Sequence, residues 1–176
     1  MKLYLTRHGQ TDWNTKRLVC GRAEARLTDL GRAQAAEMAE AVAATDVSVI
    51  LSSPLERARE TAGIVSARIG VPIQIEPLLI EQDFGSYEGR SVTDPEYKRN
   101  RENLFWRFPG GETTAHVLAR SYTVIDRVRR EYAGQSVLLV THGCLCRAAR
   151  TYFVEVPPGE FYAFYMNNCQ LLEFEC

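Results

Sequence analysis

Lysine is scarce in this chain: only Lys2, Lys16 and Lys98 among 21 cationic side chains, so its positive charge is nearly all arginine. Net charge is scarce too, at −1 from 21 Lys+Arg against 22 Asp+Glu. That balance removes the electrostatic case for a nucleic-acid or anionic-membrane partner. No apolar run approaches the ~18 residues of a membrane span. The opening Met-Lys-Leu-Tyr-Leu-Thr-Arg-His becomes charged too early for a secretory signal, so a cytoplasmic location is expected. The five cysteines (Cys20, Cys144, Cys146, Cys169, Cys176) are odd in number and lack CxxC spacing, which points to free thiols in a reducing compartment. A zinc site built on Cys144-Leu-Cys146 finds no partner ligands. Repeats, Ser/Gly linkers and charge blocks are missing as well, and the expected organisation is one domain over residues 1–176.

What is present suits a soluble globule: 45% hydrophobic and 24% charged residues. Strand and helix patterns alternate. Lys2–Thr6 reads as a strand, and Leu30–Val42 as an Ala-rich helix. Val47–Leu51 is an unbroken apolar strand of the kind buried on both faces. Ser53-Pro54-Leu55-Glu56 has the pattern of a capping box, opening a helix that Gly70 and Pro72 end near Ile69. Val71–Ile75 reads as a short strand, and Asp94-Pro95 as another helix start. An amphipathic helix runs from Glu112 to Gly134, followed by the strand Val137–Thr141. Cys144–Phe153 reads as helical, and Phe161–Met166 and Gln170–Glu175 as closing strands. The alternation predicts a three-layer α/β/α sandwich with a mostly parallel sheet.

Such sheets bind ligands beyond the carboxyl ends of their strands. The first strand exits into Thr6-Arg7-His8-Gly9 and the strand 137–141 into Thr141-His142-Gly143. Arg57 lies on the first turn after the strand 47–51. Two histidines and two arginines suggest an anion, most simply a phosphoryl group, because guanidinium forks match its oxygens. An imidazole can attack phosphorus and form phosphohistidine. The departing alkoxide then needs an acid. Glu81 is the candidate, since a Glu flanked by apolar residues near a cleft can hold its proton at neutral pH. Asp83, Glu88 and Glu112 are rivals. Glu112 opens a helix, where an acid is favoured by the dipole alone.

These residues resemble the histidine phosphatase superfamily, the phosphoglycerate mutase-like proteins. Arg7-His8-Gly9 is similar to the family's signature triplet. Trp13-Asn14, Cys20-Gly21, Leu27-Thr28 and Gly31 follow its first-loop pattern. Ser52-Ser53-Pro54-Leu55-Glu56-Arg57-Ala58-Arg59-Glu60-Thr61-Ala62 resembles its second arginine segment. Glu81, Phe84-Gly85 and Glu88-Gly89 resemble the acid-bearing segment. Pro109-Gly110-Gly111-Glu112-Thr113, Thr141-His142-Gly143 with Arg147, and Asn168-Cys169 complete the order.

The resemblance implies a nucleophilic His8, with Arg7, Arg57 and His142 holding phosphoryl oxygens. Glu81 would be the proton donor and then the base for water. Asn14 and Gly21 would line the pocket mouth, with Asn14 touching the phosphoryl group. No metal and no cofactor are implied. Arg147 has a weaker claim, and Arg59 reads as structural. Cys20 and Cys144 depart from the family pattern. The stretch between Glu81 and His142 is short, and the chain stops soon after its last expected strand, where mutases of the family are longer. The expected activity is therefore a phosphomonoesterase acting on small phosphorylated metabolites. A phosphoglycerate mutase, a non-catalytic phospho-ligand-binding regulatory domain and a metallohydrolase are the alternatives. The partner is a small-molecule phosphomonoester, with no nucleic acid and no membrane; the substrate's identity and the oligomeric state stay open. His116 reads as a solvated surface residue. Phe105, Trp106 and Phe108 read as core or as a lid, and the Tyr/Phe run at 161–165 as alternating strand packing.

Overall fold

The computed structural model describes residues 1–157 and 159–176. In chain order the elements are β1 (Lys2–Arg7), α1 (Asp12–Thr15), α2 (Asp29–Ala43), β2 (Val47–Ser52), α3 (Glu56–Ile69) and β3 (Ile73–Ile75). There follow α4 (Pro95–Arg101), α5 (Thr114–Glu131), β4 (Ser136–Thr141), α6 (Gly143–Arg150) and β5 (Leu171–Glu175). Among the described residues the strands form one sheet in the order β3-β2-β4-β1-β5. The first four run parallel, and β5 is antiparallel to β1.

The central strands are apolar because both of their faces are covered. Leu3, Leu5, Val137 and Leu139 pack with Val124, Ile125 and Val128 of α5 and Leu145 of α6. Their neighbours Tyr4, Leu138 and Val140 face the other way, onto Met38 and Val42 of α2 and Ala58, Ala62 and Val65 of α3. Side chains alternate across a strand, so these two sets fill opposite sides of one sheet and make three layers. In β2 the alternation breaks: Val47 and Ile50 share a cluster, and the register shifts between Val47 and Val49. A bulge at that point accounts for it. Burying each such Leu or Val contributes about 1.5–3 kcal/mol. A third cluster, Val19, Phe84, Tyr87, Tyr97 and Phe108, joins the connecting segments to one another.

Local signals explain most boundaries. The Thr28 hydroxyl accepts from Gly31 N at 3.0 Å to start α2. Asp94 caps α4 through Glu96 N and Tyr97 N, as its pairing with Pro95 predicts. Gly70, at φ 74°, ends α3 in the left-handed conformation.

Several expectations are corrected. Ser53 does not cap α3: the N-cap is Leu55, without a side-chain bond, and Ser53 Oγ instead contacts His142. Glu112 lies before α5, whose cap is Thr113, paired reciprocally with the exposed His116. The helix expected over Cys144–Phe153 ends at Arg150. Phe161–Met166 is not a strand, so the aromatic run there is not sheet packing. Of the three candidate core aromatics only Phe108 is buried, whereas Phe105 is 80% exposed and Trp106 37%.

Candidate active site

β1, β2 and β4 are parallel, so their carboxyl ends share one edge of the sheet. The ladder continues one step past the strands: His8 N donates to Thr141 O at 2.9 Å, and Ser53 N to Val140 O at 3.0 Å. This register brings His8, Ser53 and His142 together. The two imidazole centroids lie 5.2 Å apart.

His8 Nδ1 is 2.7 Å from Gly9 O. A carbonyl only accepts, so Nδ1 carries the proton and Nε2 keeps its lone pair. Arg57 Nε donates to that Nε2 at 3.3 Å. The Arg57 guanidinium is itself held by the carbonyls of Ala23 and Gly21. His142 Nε2 meets Ser53 Oγ at 2.7 Å, while its buried Nδ1 has no partner among the described residues. Arg7 gives Nη1 to Met166 O at 3.0 Å, and its buried Nε is likewise free. Unmade bonds on buried donors are costly, and here two converge near the histidines, suited to a bound anion. Burial holds the His8 imidazole well below its ordinary 6.5, with Arg57 and Arg7 adding to the effect. Burial, then Arg57, His8, Arg7 and Arg120, does the same to His142. Both rings are neutral at physiological pH.

A cavity of about 430 Å³ opens beside this cluster, lined by Arg7, Asn14, Cys20, Glu81, Cys144 and Arg147 among others. His8, Arg57 and His142 are more deeply buried and do not line it. Among the described residues Glu81 is its only lining carboxylate. Its Oε1 accepts from Gln82 N at 2.9 Å and its Oε2 from Cys144 N, at the start of α6, at 3.1 Å. The segment carrying it is gripped by Thr141 Oγ1 on Leu79 O at 2.7 Å and by Arg120 on the Leu78 and Ile80 carbonyls.

The rival carboxylates are engaged elsewhere. Asp83 accepts from Gly85 N and pairs with Arg22, and Glu112 binds Asp83 N and Arg120. Glu88 accepts from Gly21 N and Arg22 N, clamping the loop whose carbonyls hold Arg57. Gly21 therefore acts through its backbone rather than as a lining residue. A Cβ there would meet Gln82 O at 2.1 Å, so only glycine fits. Asn14 lines the cavity, and its Oδ1 is occupied by Thr11 N and Asn168 Nδ2. Asn168 Nδ2 also donates to His8 O at 2.8 Å. Burial pushes the Cys20 and Cys144 thiols up to about 11, so neither is a thiolate at neutral pH. Arg59 is exposed and outside the cavity.

Sequence reasoning missed the roles of Ser53, Arg120, Tyr162 and Tyr165. Tyr162 and Tyr165 line the cavity, and Tyr165 lies 5.2 Å from the Arg7 guanidinium although 64% exposed.

The profile of the histidine phosphatase superfamily (branch 1) matches residues 3–176. The probable phosphoglycerate mutase GpmB of Yersinia enterocolitica is 29% identical, over 97% of this chain and 83% of its own. The mycobacterial glucosyl-3-phosphoglycerate phosphatase Rv2419c in complex with VO3 superposes with a TM-score of 0.89 at 29% identity, covering 98% of this chain and 91% of that one. The alpha-ribazole phosphatase of Shigella flexneri gives 0.85 at 26% identity, covering 99% and 90%. Matched by that profile from its first strand to its last residue, the chain belongs to the histidine phosphatase superfamily.

Proposed function

We propose that the protein is a phosphomonoesterase that hydrolyses small phosphorylated metabolites through a covalent phosphohistidine on His8. The observation that carries this is the neutral His8 ring, its Nε2 lone pair beside Arg57. In the first step Nε2 attacks phosphorus while Arg7, Arg57, His142 Nδ1 and Asn14 Nδ2 hold the nonbridging oxygens. Glu81 passes its proton to the departing alkoxide oxygen. In the second step the Glu81 carboxylate takes a proton from water, whose oxygen attacks the phosphohistidine. Phosphate leaves and neutral His8 returns. Positioning and charge stabilisation supply most of the catalysis of phosphoryl transfer, and the two arginines provide both. The reaction proposed needs no metal, because Arg7 and Arg57 neutralise the phosphoryl group directly.

A phosphoglycerate mutase shares the first step and differs in who takes the phosphoryl group: a second substrate oxygen instead of water. The name of the Yersinia relative favours keeping that reading. Rapid quench with labelled p-nitrophenyl phosphate in excess EDTA tests the proposal. Label is expected on His8 in an acid-labile, alkali-stable bond, with a vanadate-sensitive burst and release of inorganic phosphate. His8→Ala abolishes the label. Label on Cys144 or a carboxylate, or an activity that EDTA removes and a divalent ion restores, would overturn it. Transfer to added phosphoglycerate in place of release would select the mutase.

A further inference from the structure

The two buried histidines have their protons placed by different means. His8 Nδ1–H is fixed by a main-chain carbonyl, Gly9 O at 2.7 Å. Among the described residues the His142 ring has no main-chain partner. Its Nδ1 is unpaired, and its Nε2 meets only the Ser53 hydroxyl at 2.7 Å. A neutral imidazole has one N–H and one lone pair, so this single contact decides which nitrogen donates.

The surrounding donors and acceptors assign its direction. Ser53 and His142 are both 0% exposed, so bulk water reaches neither. A serine hydroxyl has one proton to give and two lone pairs. Leu55 N takes one of the lone pairs at 3.3 Å. Among the described residues the acceptor within reach of the proton is His142 Nε2. The Ser52 hydroxyl does not compete for that nitrogen, because it donates to Ser53 O at 3.0 Å. With hydrogen on Nε2 instead, the Ser53 proton and the Nδ1 lone pair would both be buried unpaired, which is the costlier arrangement. Ser53 is held for this contact by the sheet. Its N donates to Val140 O at 3.0 Å, one step beyond β2, and His142 is the residue that follows β4.

On the reading that the protein is a phosphomonoesterase, we infer that Ser53 is a positioning residue: its hydroxyl donates to His142 Nε2 and so makes Nδ1 an N–H donor for the phosphoryl group. The opposite tautomer would turn a lone pair toward the nonbridging oxygens and repel them. With hydrogen on Nδ1 the ring gives those oxygens a hydrogen bond while staying neutral, and charge neutralisation is left to Arg7 and Arg57. The donor is set before substrate arrives, which is the condition under which such groups stabilise a transition state most effectively.

Long-range 1H–15N NMR of the imidazoles reads the tautomer directly. The chain has three histidines, and the signals lost in His8→Ala and in His116→Gln leave those of His142. At neutral pH the His142 ring is expected with Nδ1 protonated and Nε2 bare. Ser53→Ala should shift it toward protonated Nε2 and weaken calorimetric binding of inorganic phosphate by about tenfold, the scale of one hydrogen bond to a charged group. In turnover, kcat/KM for alkyl and aryl phosphates should fall equally, because both present the same phosphoryl oxygens. Ser53→Thr keeps the hydroxyl and should retain the wild-type tautomer and affinity. Ser53→Ala also removes the partner of Leu55 N at the start of α3, the helix that carries Arg57. A loss of affinity with the His142 tautomer unchanged would trace to that displacement and overturn the inference. A wild-type ring protonated on Nε2 would overturn it without any variant. The spectrum and phosphate binding need no turnover, so a chain that hydrolyses no phosphomonoester would sink the enzymatic reading and leave this assignment standing.

Discussion

Glu81 receives one backbone N–H on each carboxyl oxygen, from Gln82 and from Cys144. Its position is set by the main chain rather than by another side chain. Glu81→Gln preserves the shape and removes the transferable proton. General acid catalysis is worth about 10²–10⁴-fold, and it matters most when the leaving group is poor. Phosphorylation of His8 by alkyl phosphates should therefore fall by about that factor, while p-nitrophenyl phosphate, whose aryloxide leaves unaided, falls far less. Pre-steady-state bursts are the right measurement, because a role of Glu81 in the second step would mask the difference in kcat. Equal losses on both substrates would remove Glu81 as the donor. Asp83 and Glu112 would not follow easily, since both are already paired and neither lines the cavity.

The segment bearing Glu81 has no regular element of its own beyond a single 3-10 turn at Pro77–Leu79. Its placement comes from α5 and β4. Arg120 of α5 donates to the Leu78 and Ile80 carbonyls while pairing with Glu112 at 2.9 Å, and Thr141 of β4 donates to Leu79 O. Arg120 thus positions the segment that carries Glu81, the proposed acid. Arg120→Met should lower stability by about 1–3 kcal/mol, the usual cost of buried acceptors left without donors. It should also reproduce, at about tenfold, the alkyl-over-aryl bias of Glu81→Gln. A loss of stability with equal effects on both substrates would make Arg120 merely structural. None of this is visible in a periodicity reading of α5, which shows an apolar stripe and leaves Arg120 on its polar side. The Tyr/Phe run at 161–165 misleads for the same reason: alternation of rings mimics a strand, yet the backbone there makes turns.

For the whole molecule, the two buried histidines tie stability to pH. Both are held neutral, with folded values well below 6.5. Below 6.5 the unfolded chain binds protons that the folded chain refuses. Stability is therefore full above about pH 6.5 and falls as the pH drops beneath it, by up to ~1.4 kcal/mol per pH unit for each ring. Denaturation midpoints at pH 7.5, 6 and 5 should decrease, before the carboxylates begin to titrate. His142→Gln should flatten the dependence by about half relative to the wild type. A midpoint constant over that window would contradict neutral burial.

Much of the framework could be determined from the sequence by itself. The strands β1, β2 and β4 are apolar runs, and Arg7-His8-Gly9 and Thr141-His142-Gly143 follow two of them directly, so both histidines are legible as strand-exit residues. Arg57 is legible because its helix begins just after the third. The patterns involved span a few residues, which is the range over which local periodicity carries information. Only the tertiary structure decided which carboxylate lines the cavity, since Glu81 meets Cys144 across 63 residues of chain. It likewise turned Ser53 from an expected cap into the partner of His142, 89 residues away, and Glu88 from a rival acid into the clamp on the Gly21 loop. It gathered Arg17, Arg101, Arg147 and Tyr165 around one cavity. Long-range packing sets such juxtapositions, and no local pattern encodes them, because each depends on where β4, α5 and α6 dock against the sheet.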